Sequence, residues 1–276
     1  MKNLRLFKFH ANYLNNKFIM TRNELFPIAS TCLDDNDLHI DNMFEYVNYI
    51  EGDGNSYINT KIPLNIGKQS LEIKYKFNDL ERAQESVFGQ AYRSTGYHTL
   101  CLLKFSYDDA KYPNKLYGYM ALNSTSATSA TAGQNTSGAV IDVTININNN
   151  YVFNWNIDDT NGAWDIRHNG TIRKTGDGSA YYNATIAKDL FLFARGGSTS
   201  TTATSSNTMS SLDVPFKGRI YYVKIWNGLP ENNDIAHYLV PIRLMPGNLA
   251  LQRYGFIDKV TNKMYFSSTS VEFTGG

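Results

Sequence analysis

The sequence is short of several things that would each point to a particular chemistry. Cysteine is nearly absent: Cys32 and Cys101 are the two in the chain, and they fall in segments of different character. Their spacing supports neither a disulfide framework nor a metal-binding cluster, so both read as thiols. No stretch approaches the ~20 apolar residues of a membrane span. The start, MKNLRLFKFH, has the positive residues of a signal peptide, but Lys2, Arg5 and Lys8 interrupt every apolar run. The chain is therefore expected to stay where it is made or to leave inside a larger particle. An excess of charge is also missing, since 26 Lys and Arg balance 25 Asp and Glu for a formal charge of +1. Nothing there gathers a phosphate backbone, so nucleic acid is not an expected partner, nor is a membrane.

Motifs of catalysis are short as well. A glycoside hydrolase needs two carboxylates across a sugar, roughly 5–9 Å apart, which an E-x-D-x-E strand would supply. That pattern does not occur: Glu72 stands among lysines, and Asp158 and Asp159 lie together in a turn. The five histidines, at 10, 39, 98, 168 and 237, are scattered without a cysteine or carboxylate at ligand spacing. The glycine-bearing turn EGDGN at 51–55 has no following GK[ST] or helix, so it reads as a corner between strands and not as a phosphate cradle. The expectation is a protein that is not an enzyme and carries no cofactor.

Strand signals fill the space. In SLEIKYKF, Leu71, Ile73, Tyr75 and Phe77 alternate with Glu72, Lys74 and Lys76, the period of a half-buried antiparallel strand. The same period runs through Ile141, Val143, Ile145 and Ile147, and through Phe153, Trp155 and Ile157. DLFLFAR at 189–195 is apolar on both faces, as in a central strand, and RIYYVKIW at 219–226 likewise reads as a covered core strand. Asn169–Gly170 between two such runs predicts a tight type I′ hairpin. Only NNDIAHYL near 232 has room for one short helical turn. The fold class is therefore all-β.

Two tracts, 123–138 and 196–211, consist of small hydroxyl residues with no apolar period and read as long surface loops. Residues 1–44 hold short apolar stretches around a turn at Asp34–Asp37 but too little apolar material for a core of their own. They are expected to act as an attachment and oligomerisation segment, with the sandwich over 45–276. Two groups are candidates for binding. Trp164, Tyr181 and Tyr182, with Tyr92 behind them, sit beside loops and are aromatic enough to stack on a sugar. In the acidic stretch DDTNGAWD, Asp158, Asp159 and Asp165 could hold calcium, against the plainer reading of a hairpin turn.

Six stretches, in order, resemble a known family. YVNYIEGDGNSYINTKIPL at 46–64 is similar to the opening of a concanavalin A-like (laminin G-like) domain, and Val87, Phe88, Gly89, Gln90 and Ala91 fall at its next motif. LFLFARG at 190–196, KGRIYYVKIWNG at 217–228, HYLVPIRL at 237–244 and YGFIDKVTNKMYFSSTSVEFTG at 254–275 follow in register with it. PIASTCLDDNDLHID, with Cys32 and His39, looks like a segment that precedes such domains in phages of gut Bacteroides. The resemblance implies a jelly-roll β-sandwich whose first and last strands pair, YVNYI lying beside Val271–Phe273. It also implies a virion protein, a head or tail fibre or decoration, that binds other virion proteins through residues 1–44 and meets host surface glycan; the lack of a core in residues 1–44 gives the expectation of a homotrimer held partly by them. The alternative it leaves open is a glycan-binding or glycan-cleaving surface protein of a gut bacterium.

Overall fold

The computed structural model describes residues 44–82, 84–89, 98–105, 115–122, 139–141, 145–176, 188–195, 215–244 and 253–276. Residues 1–43 and the two hydroxyl-rich tracts at 123–138 and 196–211 lie outside them. Seventeen strands are described: β1 Phe44–Tyr46, β2 Ile50–Asp53, β3 Ile58–Leu64, β4 Gln69–Phe77, β5 Gln84–Gly89, β6 His98–Phe105, β7 Lys115–Leu122, β8 Ala139–Ile141 and β9 Tyr151–Ile157. They continue as β10 Trp164–His168, β11 Thr171–Gly176, β12 Lys188–Leu192, β13 Lys217–Asn227, β14 Ile235–Leu244, β15 Arg253–Asp258, β16 Met264–Phe266 and β17 Thr274–Gly275.

The strands form two antiparallel sheets. The larger runs β11-β10-β9-β4-β13-β14-β15-β16, with β1 on β14 and with β2 between β13 and β17; the smaller runs β3-β12-β5-β6-β7-β8. Period two decides which side chains meet between them. Leu71, Ile73, Tyr75 and Phe77 of β4, Phe153, Trp155 and Ile157 of β9, and Ile220, Val223 and Ile225 of β13 enter one core with Leu100, Leu102, Leu190 and Leu192 of the smaller sheet. The core therefore lies between the two sheets.

The EGDGN turn is where the chain passes from one sheet to the other, since β2 belongs to the larger and β3 to the smaller. Gly54 takes φ +84°, a left-handed conformation that glycine adopts freely. Gly52 answers a different need: a Cβ there would stand 2.7 Å from the Phe193 ring, which packs beneath it. Asp53 closes the turn by accepting the Asn55 amide at 2.8 Å. The Asn169–Gly170 hairpin also forms, with φ of 49° and 76° joining β10 to β11.

Three local expectations change. Ile145 is buried but Ile147 is exposed in a turn, because the Asn146 carbonyl and side chain accept the amides of Asn149 and Asn148 and draw the backbone out of the extended state. The helical turn near 232 is confined to Pro230–Asn232, and IAHYL opens β14 instead. In β13 the register against β4 steps between Ile220 and Tyr222, so Tyr221 is an extra residue, a bulge. The bulge keeps both Ile220 and Val223 in the core and turns two successive tyrosines outward, where continuous core had been expected.

The chain ends of the sandwich pair as expected, one step further along. Thr274 and Gly275 pair with Glu51 and Ile50, and the Asn48 amide reaches the Gly276 carbonyl at 2.8 Å. Phe273 is buried against Phe193 at 4.6 Å between ring centroids, whereas Val271 is exposed.

Candidate functional site on the outer face of the larger sheet

The residues that alternate away from the core make a continuous polar and aromatic band across β10, β9, β4, β13 and β14. Register places Asp165 beside Asn156, Arg167 beside Asn154, Asn154 beside Glu72, Glu72 beside Lys224, and Lys224 beside Tyr238. At one end Arg167 forks onto Asp165, its Nε and Nη2 donating at 2.9 and 2.8 Å, while Asn156 donates to the same carboxylate at 2.7 Å. Asn154 donates to Glu72 at 2.8 Å.

At the other end rings collect around cations. The Lys224 ammonium stands 5.1 Å from the Tyr222 ring centroid, 5.3 Å from Tyr238 and 5.9 Å from Trp226, with a Glu72 oxygen at 3.9 Å. Lys74 lies 5.3 Å over Tyr221, and Arg219 lies 4.1 Å over Tyr49 while its Nε donates to Glu51 at 2.6 Å. Such contacts hold long side chains in one posture at roughly 0.5–1 kcal/mol each where solvent reaches them. Burial, and then the neighbouring Glu72 charge, hold the Tyr222 phenol well above the usual range, so it stays a neutral donor and acceptor. The band thus presents fixed hydroxyls, ammonium and guanidinium donors and amide groups on a shallow surface, a set that matches a ligand with many hydroxyl or acidic groups.

The residues singled out from sequence fall elsewhere. Trp164 is a core residue, 5% exposed, its ring 5.4 Å from Trp155 and closed over by Gly176. It offers no free face to a sugar, because β10 begins at Trp164 itself and points it inward with Ile166 and His168. Tyr92, Tyr181 and Tyr182 lie outside the described residues. The three aspartates do not converge: Asp158 is closed in a turn by the amide and hydroxyl of Thr160 at 2.9 and 2.5 Å, Asp159 stands against Gly228, and Asp165 belongs to Arg167 and Asn156. Among the described residues no three His, Cys, Asp or Glu side chains are grouped to hold a metal. Asp158 and Asp159 lie at the turn between β9 and β10, while Asp165 stands on β10.

Two buried polar groups serve the scaffold. The Lys104 ammonium and Glu85 carboxylate meet at 2.9 Å inside the sandwich, both fully buried, and Glu85 also accepts the Lys217 amide at 3.0 Å. His237 Nδ1 lies 2.7 Å from Asp258, which also accepts the Thr261 hydroxyl and the amides of Tyr238 and Val260. Burial alone would raise the Asp258 pKa, but these donors outweigh it and hold it at about 2. That cluster ties the turn after β15 to β14.

Tyr221 and Tyr222 read from sequence as core. The signal that locates them is the doublet itself: two aromatics between Ile220 and Val223 break period two, which is the mark of a bulge.

No family model matches the chain, and no curated protein matches it. Among solved structures, a protein from Bacteroides ovatus described as carbohydrate-binding has a TM-score of 0.50 and 13% identity, covering 84% of this chain and 60% of that one. The chain thus spans 60% of that protein's length. The CBM40 of the Ruminococcus gnavus IT-sialidase, bound to α2,3-sialyllactose, has a TM-score of 0.43 and 14% identity over 68% of this chain and 91% of that one. Domains LG4-5 of the mouse laminin α1 chain have a TM-score of 0.43 and 9% identity over 72% of this chain and 48% of that one. The two stacked antiparallel sheets, with the chain ends paired, are an all-β sandwich. More narrowly, the fold is a concanavalin A-like jelly-roll β-sandwich.

Proposed function

We propose that this chain is a non-enzymatic glycan-binding module, and that its outer band from Asn154 and Glu72 to Tyr222, Lys224 and Tyr238 is the contact surface. The observation that carries the reading is the band itself, in which rings, amides and cations from β9, β4, β13 and β14 are held outward and side by side. Sugars are recognised by polar groups that hydrogen-bond hydroxyls and by rings that pack on C–H faces. At the centre of the band Lys74, Lys76, Arg219 and Lys224 outnumber Glu51 and Glu72, so glycans bearing carboxylate or sulfate groups are favoured. The band's carboxylates are engaged, Glu72 by Asn154 and Asp165 by Arg167, which supports binding over hydrolysis.

The place of work we propose is the surface of a phage particle, as a head or tail fibre or decoration. The likeness of six ordered motifs to domains of such proteins supports this. A bacterial surface glycan-binding protein is the second reading, and the described B. ovatus likeness in fold is compatible with it. A glycan array probed with the full chain tests the first claim: a subset of acidic glycans should bind, and Tyr222→Ala with Tyr238→Ala should abolish binding at an unchanged melting temperature. Binding that survives the double variant would remove the band from the account. Release of reducing sugar from any bound glycan would overturn the non-enzymatic part.

A further inference from the structure

Asparagine followed by glycine occurs three times in the chain, at Asn161–Gly162, Asn169–Gly170 and Asn227–Gly228, and all three pairs lie among the described residues. Such a pair carries a chemistry of its own. Glycine has no Cβ to shield its amide, so that nitrogen can approach the side-chain carbonyl carbon of the asparagine before it. The three sites start alike. Each glycine takes a left-handed φ, of 79°, 76° and 71° in chain order. Each asparagine side-chain oxygen accepts a hydrogen bond that draws electrons from its carbon: from the Ala163 amide at 2.8 Å, the Val152 amide at 2.8 Å and the Gln69 side-chain amide at 3.1 Å.

They part at the nucleophile. The Gly162 amide donates to the Asp158 carbonyl at 2.7 Å and the Gly228 amide to the Lys68 carbonyl at 2.8 Å, and both glycines are buried. Gly170 is exposed at the tip of the β10–β11 hairpin, and its amide meets no acceptor among the described residues. A Cβ there would find nothing within 4 Å. Of the three amides, this is the one open to base and water.

We infer that Asn169 is a site of spontaneous deamidation, the one of the three pairs that the fold leaves reactive. The Gly170 nitrogen gives its proton to a base from solvent and bonds to the Asn169 Cγ; the Cγ–Nδ2 bond breaks, and the side-chain nitrogen takes up a proton and leaves as ammonia. Water then opens the five-membered imide, so the step needs no oxidant and no cofactor. Opening at Cγ leaves aspartate, whose carboxylate can still accept the Val152 amide. Opening at the main-chain carbonyl leaves isoaspartate, whose extra backbone carbon lengthens the two-residue loop between the paired His168 and Thr171. Either product places a new negative charge at the end of the outer band, beside Val152, the cross-strand partner of Lys74.

The test needs no substitution. The full chain is held in mildly alkaline buffer, native in one sample and unfolded in urea in another. Peptides are followed by mass spectrometry, and isoaspartate by its methylation with an isoaspartyl methyltransferase. In urea the three asparagines should convert at similar rates. In the native chain Asn169 should convert about two- to tenfold or more faster than Asn161 and Asn227, whose glycine amides must each first give up a backbone hydrogen bond. Equal rates at the three sites of the native chain, or Asn161 or Asn227 converting first, would overturn the inference. So would an Asn169 that stays intact in the native chain while it converts in urea.

Discussion

Removing the Phe273 ring tests how the C-terminal return closes the sandwich. Phe273 is 3% exposed, and its centroid lies 4.6 Å from Phe193, which in turn stacks on Phe216 and fills the space that Gly52 leaves open. Phe273→Ala therefore opens a cavity beside a ring that already holds a left-handed backbone, φ 62° at Phe193. A buried Phe→Ala change costs about 3–5 kcal/mol, and more where the site cannot collapse. At roughly 2–4 °C per kcal/mol for a domain of this size, the melting temperature should fall by about 6–20 °C. The control is Val271→Ala two residues earlier: that side chain is 37% exposed, and the change should stay within about 0.5 kcal/mol. Both are read by thermal melts followed in the near-ultraviolet, where the aromatic cluster reports directly. If Phe273→Ala melts within about 2 °C of the parent, or if the two variants shift alike, then the tail does not seal the core and the pairing of β17 with β2 carries no packing.

Other outcomes follow from single contacts. Trp164→Ala should cost about 3–5 kcal/mol in chemical denaturation and leave any glycan binding of the folded fraction intact; a stable variant that loses binding would restore this residue to the surface. For the buried pair, Glu85→Gln or Lys104→Met alone should cost about 3–5 kcal/mol. The two together should lie closer to the parent than either alone, because the side-chain carbonyl introduced by Glu85→Gln can still accept the Lys217 amide; a double variant as weak as the sum of the singles would refute this. Acid should weaken the fold through His168. Burial foremost, and Arg173 second, lower its pKa from 6.5 to about 4, so between those values the unfolded chain takes up a proton that the folded chain refuses. Stability should be undiminished above pH 6.5 and fall by about 3 kcal/mol on the way to pH 4; His168→Phe should flatten that slope, and an unchanged slope would assign it elsewhere.

How far the sequence could be read depended on how far each signal reached. The alternation of Leu71 to Phe77 and of Phe153 to Ile157 is a property of a few neighbouring residues, and both strands formed with those residues in the core. Asn169–Gly170 carries its own turn geometry, and the hairpin formed too. The run Ile141 to Ile147 has the same period; Val143 lies outside the described residues, and at its end asparagine hydrogen bonds put Ile147 in a turn. Trp164 follows a turn and so resembled a loop residue, although the strand starts on it. The candidate site was not legible, because it is made across strands: only the pairing of β13 with β4 and β14 brings Lys224 to Glu72 and Tyr238, and only the bulge at Tyr221 turns Tyr222 outward.

The three-residue strand β1 also determines how the domain carries tension. It is joined to β14 through Phe44 with Leu244, Glu45 with Arg243 and Tyr46 with Ile242, and the hydrogen bonds of an antiparallel pair lie across the strands. A pull on the chain ahead of Phe44 runs along β1 and loads those bonds side by side, in shear, so they must yield together. β14 lies next to β13, the strand that displays Tyr222 and Lys224. A force applied on the outer face at Tyr222 and Lys224 would thus cross two strands of one sheet to reach Phe44, and the core between the sheets would stay out of the line of load.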